Sequence, residues 1–121
     1  MRFKNKYTFE ERKKQVSDVL VKHPDRIPII CERHELTSNQ CPEIDKKKYL
    51  VPIDLTVGQF LYVIRNRLQI SPNKSIFLFI NEVIPYTSAL LYNYYTNYRD
   101  DDGYLYIKYT FEGVFGSNIV V

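Results

Sequence analysis

The chain has no tryptophan, one methionine, two cysteines and four glycines among its 121 residues. Cys31 and Cys41 alone cannot build the disulfide framework of a small secreted domain, so a reducing compartment is expected. No apolar run approaches the roughly 18 residues that span a bilayer, and the longest in mid-chain, residues 76–80, is strand-sized. The N-terminus carries Arg2, Lys4 and Lys6 but not the apolar block of a secretory signal. Any membrane attachment is therefore expected to be peripheral or covalent. A strong charge bias is missing too. Seventeen basic against 14 acidic residues leave +3, short of the excess typical of dedicated nucleic-acid binders.

What is present is apolar and aromatic. Hydrophobic residues make up 45% of the chain, with eleven tyrosines and seven phenylalanines, enough for one compact domain with a real core and too much for disorder. Thr8-Phe9-Glu10-Glu11 has the spacing of a capping box, and Phe9, Val16, Val19 and Leu20 follow at helical intervals until His23-Pro24 ends the run. The basic residues ahead of Thr8 read as a short turn. Residues 26–32 read as a strand with Ile27, Ile29 and Cys31 on one face and Pro28 and Ile30 on the other. Pro28 has no N–H to donate, which predicts irregular or one-sided pairing there. Residues 34–45 read as a polar loop.

Residues 46–53 form the second predicted strand, with Leu50 on one face and Tyr49, Val51 and Ile53 on the other. Thr56 and Gln59 repeat the capping-box spacing ahead of a helix with Val57, Phe60, Leu61, Ile64 and Leu68 as its inward stripe. A third strand is predicted at 75–80. Ser88 is positioned to cap a short helix carrying Leu91, Tyr94, Tyr95 and Tyr98, and the Asp100-Asp101-Asp102-Gly103 turn leads into a fourth strand at 104–109. A four-stranded mixed sheet embracing the long helix satisfies every apolar face. That is an α+β, β-grasp arrangement, divided into an N-terminal helical extension (1–24), the main domain (25–110) and a flexible tail (111–121).

Three blocks of residues resemble the autophagy ubiquitin-like modifier family, whose animal members are the microtubule-associated protein light chains and the GABA-receptor-associated proteins. They are Arg26-Ile27-Pro28-Ile29-Ile30-Cys31-Glu32, Pro42-Glu43-Ile44-Asp45-Lys46-Lys47-Lys48-Tyr49-Leu50-Val51-Pro52 and Asp54-Leu55-Thr56-Val57-Gly58-Gln59-Phe60. Asp102-Gly103-Tyr104-Leu105-Tyr106 and Phe115-Gly116 extend the match. The resemblance implies a ubiquitin-like fold preceded by two helices, the first shortened here, and a protein that performs no catalysis and needs no cofactor. It implies cleavage by a dedicated cysteine protease at Phe115-Gly116-Ser117, passage through activating and conjugating enzymes, and amide linkage of Gly116 to phosphatidylethanolamine. The protein would then move from cytoplasm to autophagosomal membranes, where peptides of adaptors and cargo receptors dock. Departures from the family pattern are Gln15, Tyr104, Phe111, Gly113-Val114 and a longer loop at 34–41.

By the same resemblance, Gln15, Val19, Pro28, Ile30, Lys48, Leu50 and Tyr104 line a pocket for an aromatic residue. Tyr49, Val51, Pro52, Leu55, Phe60 and Val63 line a second for an aliphatic residue three positions later, while Arg26, Lys46, Lys48 and Arg67 meet peptide acids. The residues by themselves allow plainer readings. Gly116 is one of four glycines and would ordinarily be a loop residue, although a glycine carbonyl lacks a Cβ that would crowd an attacking thiolate or amine. Apolar strand residues are ordinarily core, although two strands apolar on both faces leave surface that one small helix does not hide.

Other chemistries fit less well. Cys31, His34, Cys41 and His23 match no zinc-ligand spacing, so no metal is expected. Cys31 with His34 has no orienting group or oxyanion hole at hand. A nucleic-acid or acidic-surface binder could use Lys46-Lys47-Lys48, Arg65 and Arg67 with exposed tyrosines, yet such a run is usually a solvated face, and nucleic acid is not the expected partner. An unconjugated ubiquitin-like adaptor is the remaining alternative, and Phe115-Gly116 followed by a short removable tail counts against it.

Overall fold

A computed structural model describes residues 1–37 and 40–111; Ser38, Asn39 and residues 112–121, with Phe115, Gly116 and Ser117, lie outside the described residues. Eight elements follow in chain order: α1 (Phe3–Lys6), α2 (Phe9–Lys22), β1 (Arg26–Arg33), β2 (Lys48–Pro52), α3 (Val57–Leu68), β3 (Phe77–Phe79), α4 (Leu91–Tyr98) and β4 (Leu105–Thr110). Both expected capping boxes form. Thr8 Oγ1 accepts from Glu11 N at 3.1 Å while Glu11 Oε1 accepts from Thr8 N at 2.8 Å, and Thr56 and Gln59 repeat this at 3.1 and 2.9 Å. Each box satisfies two donors that a helix start would otherwise leave bare, a contribution of about 1 kcal/mol. α2 stops at His23, ahead of Pro24, and α3 ends on Gln69 in the left-handed region at φ 55°.

The sheet is mixed, in the order β2-β1-β4-β3. β1 pairs antiparallel with β2, bringing Ile27 opposite Val51, Pro28 opposite Leu50 and Ile30 opposite Lys48. It pairs parallel with β4 from Ile29–Leu105 onward. Pro28 thus precedes the β4 ladder and is paired on the β2 side alone, as its missing N–H requires. One face of the sheet packs Ile27, Ile29, Cys31, Tyr49, Val51, Leu105, Ile107 and Tyr109 against Val57, Phe60 and Ile64 of α3. The other face packs Ile30 and Tyr104 against Phe3 and Val16, with Leu20 alongside. Both faces are covered, as two doubly apolar strands demand, and each large buried side chain contributes roughly 1.5–3 kcal/mol.

Several details differ from the sequence reading. The stretch ahead of Thr8 is one turn of helix rather than a plain turn, and Phe3 is buried because its ring meets Tyr104 edge-on at 5.4 Å. Phe9 points outward. The loop after β1 is not merely polar, since His34, Cys41 and Ile44 are buried. Ser88 caps nothing. α4 starts three residues later at Leu91, whose N–H donates to the Leu55 carbonyl at 3.0 Å, so a tertiary backbone bond replaces the side-chain cap. Strand ends also move: β2 and β3 are shorter than expected, and β4 runs one residue further.

Candidate functional site

β2 is an edge strand, so its backbone groups facing away from β1 have no ladder partner among the described residues. The seven residues expected to form the aromatic pocket divide by burial, a buried floor and more exposed members. Ile30 and Tyr104 are buried at 0% and 2% exposure and Pro28 is buried with them; Gln15, Val19 and Leu50 are half-buried and Lys48 is exposed. α2 is tied to this floor by the Tyr104 hydroxyl, which donates to Gln15 Oε1 at 2.7 Å. Burial, with the nearby Asp102 charge, pushes the Tyr104 phenol up to about 12, so it remains a donor. Phe3 and Tyr7, which sequence reasoning did not nominate, border the same region, with Lys48 Nζ 5.9 and 6.0 Å from their ring centres. Their signal was an aromatic pair four residues apart in a segment read as a plain turn.

Of the residues expected to form the aliphatic pocket, Tyr49, Val51 and Phe60 belong to the core, with the Tyr49 and Phe60 rings edge-to-face at 5.5 Å. Leu55 is half-buried, while Val63 and Pro52 are exposed. Leu55 and Val63 open onto a depression of about 580 Å³ that also takes in Tyr62 and Thr87. Tyr62, 66% exposed, is the apolar residue that sequence reasoning passed over, because it falls off the inward stripe of α3. The Tyr49 hydroxyl is buried and has no hydrogen-bond partner among the described residues.

The cations are placed unequally. Arg26 and Lys46 are exposed, and Lys46 Nζ lies 5.2 Å from the Tyr49 ring centre. Arg67 is held by Asp45. Lys47 is spent on the fold, donating to the Met1 carbonyl at 2.7 Å and to Glu32 at 3.1 Å. Arg65 donates to the Lys74 and Ser71 carbonyls in the turn after α3. Three of the cations that a polyanion would need are therefore occupied by groups of the chain itself. The Cys31 thiol lies in the core, where burial pushes it well above its ordinary range, so it is no thiolate nucleophile. No metal-holding group of His, Cys, Asp and Glu occurs among the described residues.

Sequence reasoning also missed a buried ionic network that positions α2. Asp102, 1% exposed, accepts from Arg12 Nη1 at 2.5 Å, from the Tyr106 hydroxyl at 2.6 Å and from the Tyr104 N–H at 2.8 Å. Arg12, Gln15 and Val16 form one face of α2, and all three meet residues 102–106. In the sequence Asp102 is one of three adjacent aspartates and opens a block that matches the family, but nothing there points to Arg12 as its partner.

A four-stranded mixed sheet wrapped on one long helix, with two helices ahead of it and a free edge strand, defines a ubiquitin-like protein of the β-grasp class. A family model described as "Autophagy protein Atg8 ubiquitin like" matches residues 11–116. Autophagy-related protein 8 of Mycosarcoma maydis is 53% identical over 114 residues, covering 94% of this chain and 95% of that protein. Autophagy-related protein 8 of Coccidioides immitis (strain RS) is 52% identical over 116 residues, covering 96% and 97%. The crystal structure of Trypanosoma brucei ATG8 superposes with a TM-score of 0.85 at 41% identity, covering 91% of this chain and 93% of that one. The chain belongs to the Atg8 family of ubiquitin-like autophagy proteins.

Proposed function

We propose that this protein is a modifier cleaved after Gly116, conjugated there to phosphatidylethanolamine, and used on autophagosomal membranes as a docking surface for adaptor and cargo-receptor peptides. The observation that carries the docking half is the edge position of β2, flanked by half-buried Leu50 and Leu55 and exposed Pro52 and Val63. An extended peptide adds to that edge as a fifth strand, its aromatic side chain set over Ile30 and Tyr104 and its aliphatic side chain over Tyr49, Val51 and Phe60. Leu50, Val19, Gln15 and Lys48 wall the first position, Pro52, Leu55 and Val63 the second, and Arg26, Lys46 and Arg67 meet acids beside it.

Support for the conjugation half comes from the family match, which ends at residue 116, a glycine, with five residues left after it. Phe115, Gly116 and Ser117 lie outside the described residues, so this half rests on sequence and chemistry. Removing residues 117–121 frees a glycine carboxylate for activating and conjugating enzymes. Phosphatidylethanolamine supplies a primary amine and two acyl chains, and two chains at about 0.8 kcal/mol per methylene hold a protein where one does not. Return cleavage by the same type of cysteine protease would restore the cytoplasmic form.

The docking magnitudes are modest. Two anchors contribute roughly 1.5–3 kcal/mol each and edge hydrogen bonds about 1 kcal/mol apiece, offset by several for ordering the peptide. Micromolar affinity, near −8 kcal/mol, is expected. Fluorescence anisotropy with a labelled aromatic-x-x-aliphatic peptide tests it. Wild type binds at micromolar concentration, and Leu50→Ala weakens binding roughly tenfold by removing one pocket wall. Equal affinity of the two proteins would remove β2 as the docking edge.

A further inference from the structure

Arg67 is a cation meant for a peptide acid, yet in the free protein it already holds one. Its Nε donates to Asp45 Oδ1 at 2.9 Å and its Nη2 to Oδ2 at 3.3 Å, a two-point pair. The pair does little for the fold, since the Asp45 side chain is 71% exposed and that of Arg67 44%. The position of Asp45 is more informative than its strength. It stands three residues ahead of Lys48, the first residue of the docking strand. It also walls a depression of about 360 Å³ with Phe3, Tyr7, Lys6, Lys47 and Lys48, in which it is the one carboxylate. Lys46 next to it rests on Tyr49, whose hydroxyl feels the charges of both Arg67 and Asp45. The hydrogen bond from Arg67 holds the Asp45 carboxyl below its ordinary value, so it is ionised at neutral pH.

We propose that Asp45 is a specificity-determining residue, a carboxylate of the chain itself that occupies Arg67 until an acidic side chain of the docking peptide displaces it. This rests on the reading of β2 as a peptide-docking edge. A peptide acid that lands on Arg67 exchanges one carboxylate for another and is repelled by Asp45, so that contact gains almost nothing over a neutral side chain. A peptide with several acids ahead of its aromatic anchor gains, because some of them reach Lys46, Lys48 or Arg26 while another takes Arg67.

The test uses two labelled peptides with the same aromatic-x-x-aliphatic core, one preceded by acidic residues and one by serines. Both are titrated against wild type, Asp45→Asn, Arg67→Met and the double variant. Asp45→Asn is expected to bind the acidic peptide about three- to fivefold tighter, the scale of an exposed ion pair, and the serine peptide unchanged. In the Arg67→Met background the gain from Asp45→Asn should shrink to less than half of its wild-type value, with only the repulsion relieved. An unchanged affinity of Asp45→Asn for the acidic peptide, or equal tightening for both peptides, overturns the role of Asp45 and leaves the docking edge standing. If wild type binds neither peptide, both proposals fall together.

Discussion

Asp102→Ala is expected to cost the fold about 3–5 kcal/mol, a large share of the roughly 5–15 kcal/mol that holds a domain folded. The Asp102 side chain is completely buried and that of Arg12 is 10% exposed, so removing the carboxylate leaves a guanidinium charge inside the protein with its partner gone. Three donors lose their acceptor at once: Arg12 Nη1, the Tyr106 hydroxyl and the Tyr104 N–H. Asp100 cannot substitute, since its nearest oxygen is 4.0 Å from Arg12 Nη1 and its carboxylate is engaged by Lys4 at 2.7 Å. Replacing both partners, as in Arg12→Met with Asp102→Leu, removes the stranded charge and should recover more than half of the loss. Urea unfolding of the three proteins measures this directly, with the two variants read as shifts in midpoint at unchanged slope. A loss below about 1 kcal/mol for Asp102→Ala would mean that the network contributes no more than a surface pair does.

Gly103→Ala is the second large effect, and two causes act in the same direction. The backbone at Gly103 has φ +96°, where an L side chain is strained. A Cβ built there would stand 2.7 Å from Val16 Cγ1 and 3.2 Å from Val16 Cβ, on the branched and rigid part of that side chain. Backbone strain and overpacking, at about 1–3 kcal/mol each, sum to roughly 2–6 kcal/mol and a fall in melting temperature on the order of 10 °C or more. Combining it with Val16→Ala separates the two. The pair should cost less than the sum of its single changes, because the 2.7 Å clash with Val16 Cγ1 disappears while the close Val16 Cβ and the strain remain. Additive losses in thermal melts would show that α2 does not press on the turn.

These two positions mark the limit of what the chain discloses when read as a string. Local rules were legible. Thr8 with Glu11 and Thr56 with Gln59 announce two helix starts, and the alternation in β1 and β4 sorts Ile27, Ile29, Leu105 and Ile107 from Ile30. Positions decided by a distant partner were not legible. Ser88 has the chemistry of a cap, but the Leu55 carbonyl meets the N–H of Leu91 instead, and a helix start takes its cap from whichever group is nearest in space. Phe9 has the spacing of a core residue and yet is exposed, with the Arg12 and Lys13 cations near its ring. Asp100, Asp101 and Asp102 look alike in sequence, and only the fold aims one of them at Arg12.

The candidate site divides along the same line. Of the residues named by resemblance, Ile30 and Tyr104 lie in one buried cluster and Tyr49, Val51 and Phe60 in the other, while Phe3 and Tyr7 sit in a segment with no strong pattern and Tyr62 falls off the inward stripe of α3. Asp45 was quoted within a matching block, but its pairing with Arg67 joins residues 22 apart in the chain and belongs to the folded state alone.

We propose that this Atg8-family chain becomes a lipid-attached modifier through the carbonyl of Gly116. Intact mass after incubation in lysate of the cells that make it, proven able to trim a related autophagy protein, tests that claim most directly. The expected result is loss of the five residues 117–121 from wild type and no loss from Gly116→Ala. An unchanged wild-type mass in that lysate would contradict it and leave a ubiquitin-like adaptor that is never conjugated.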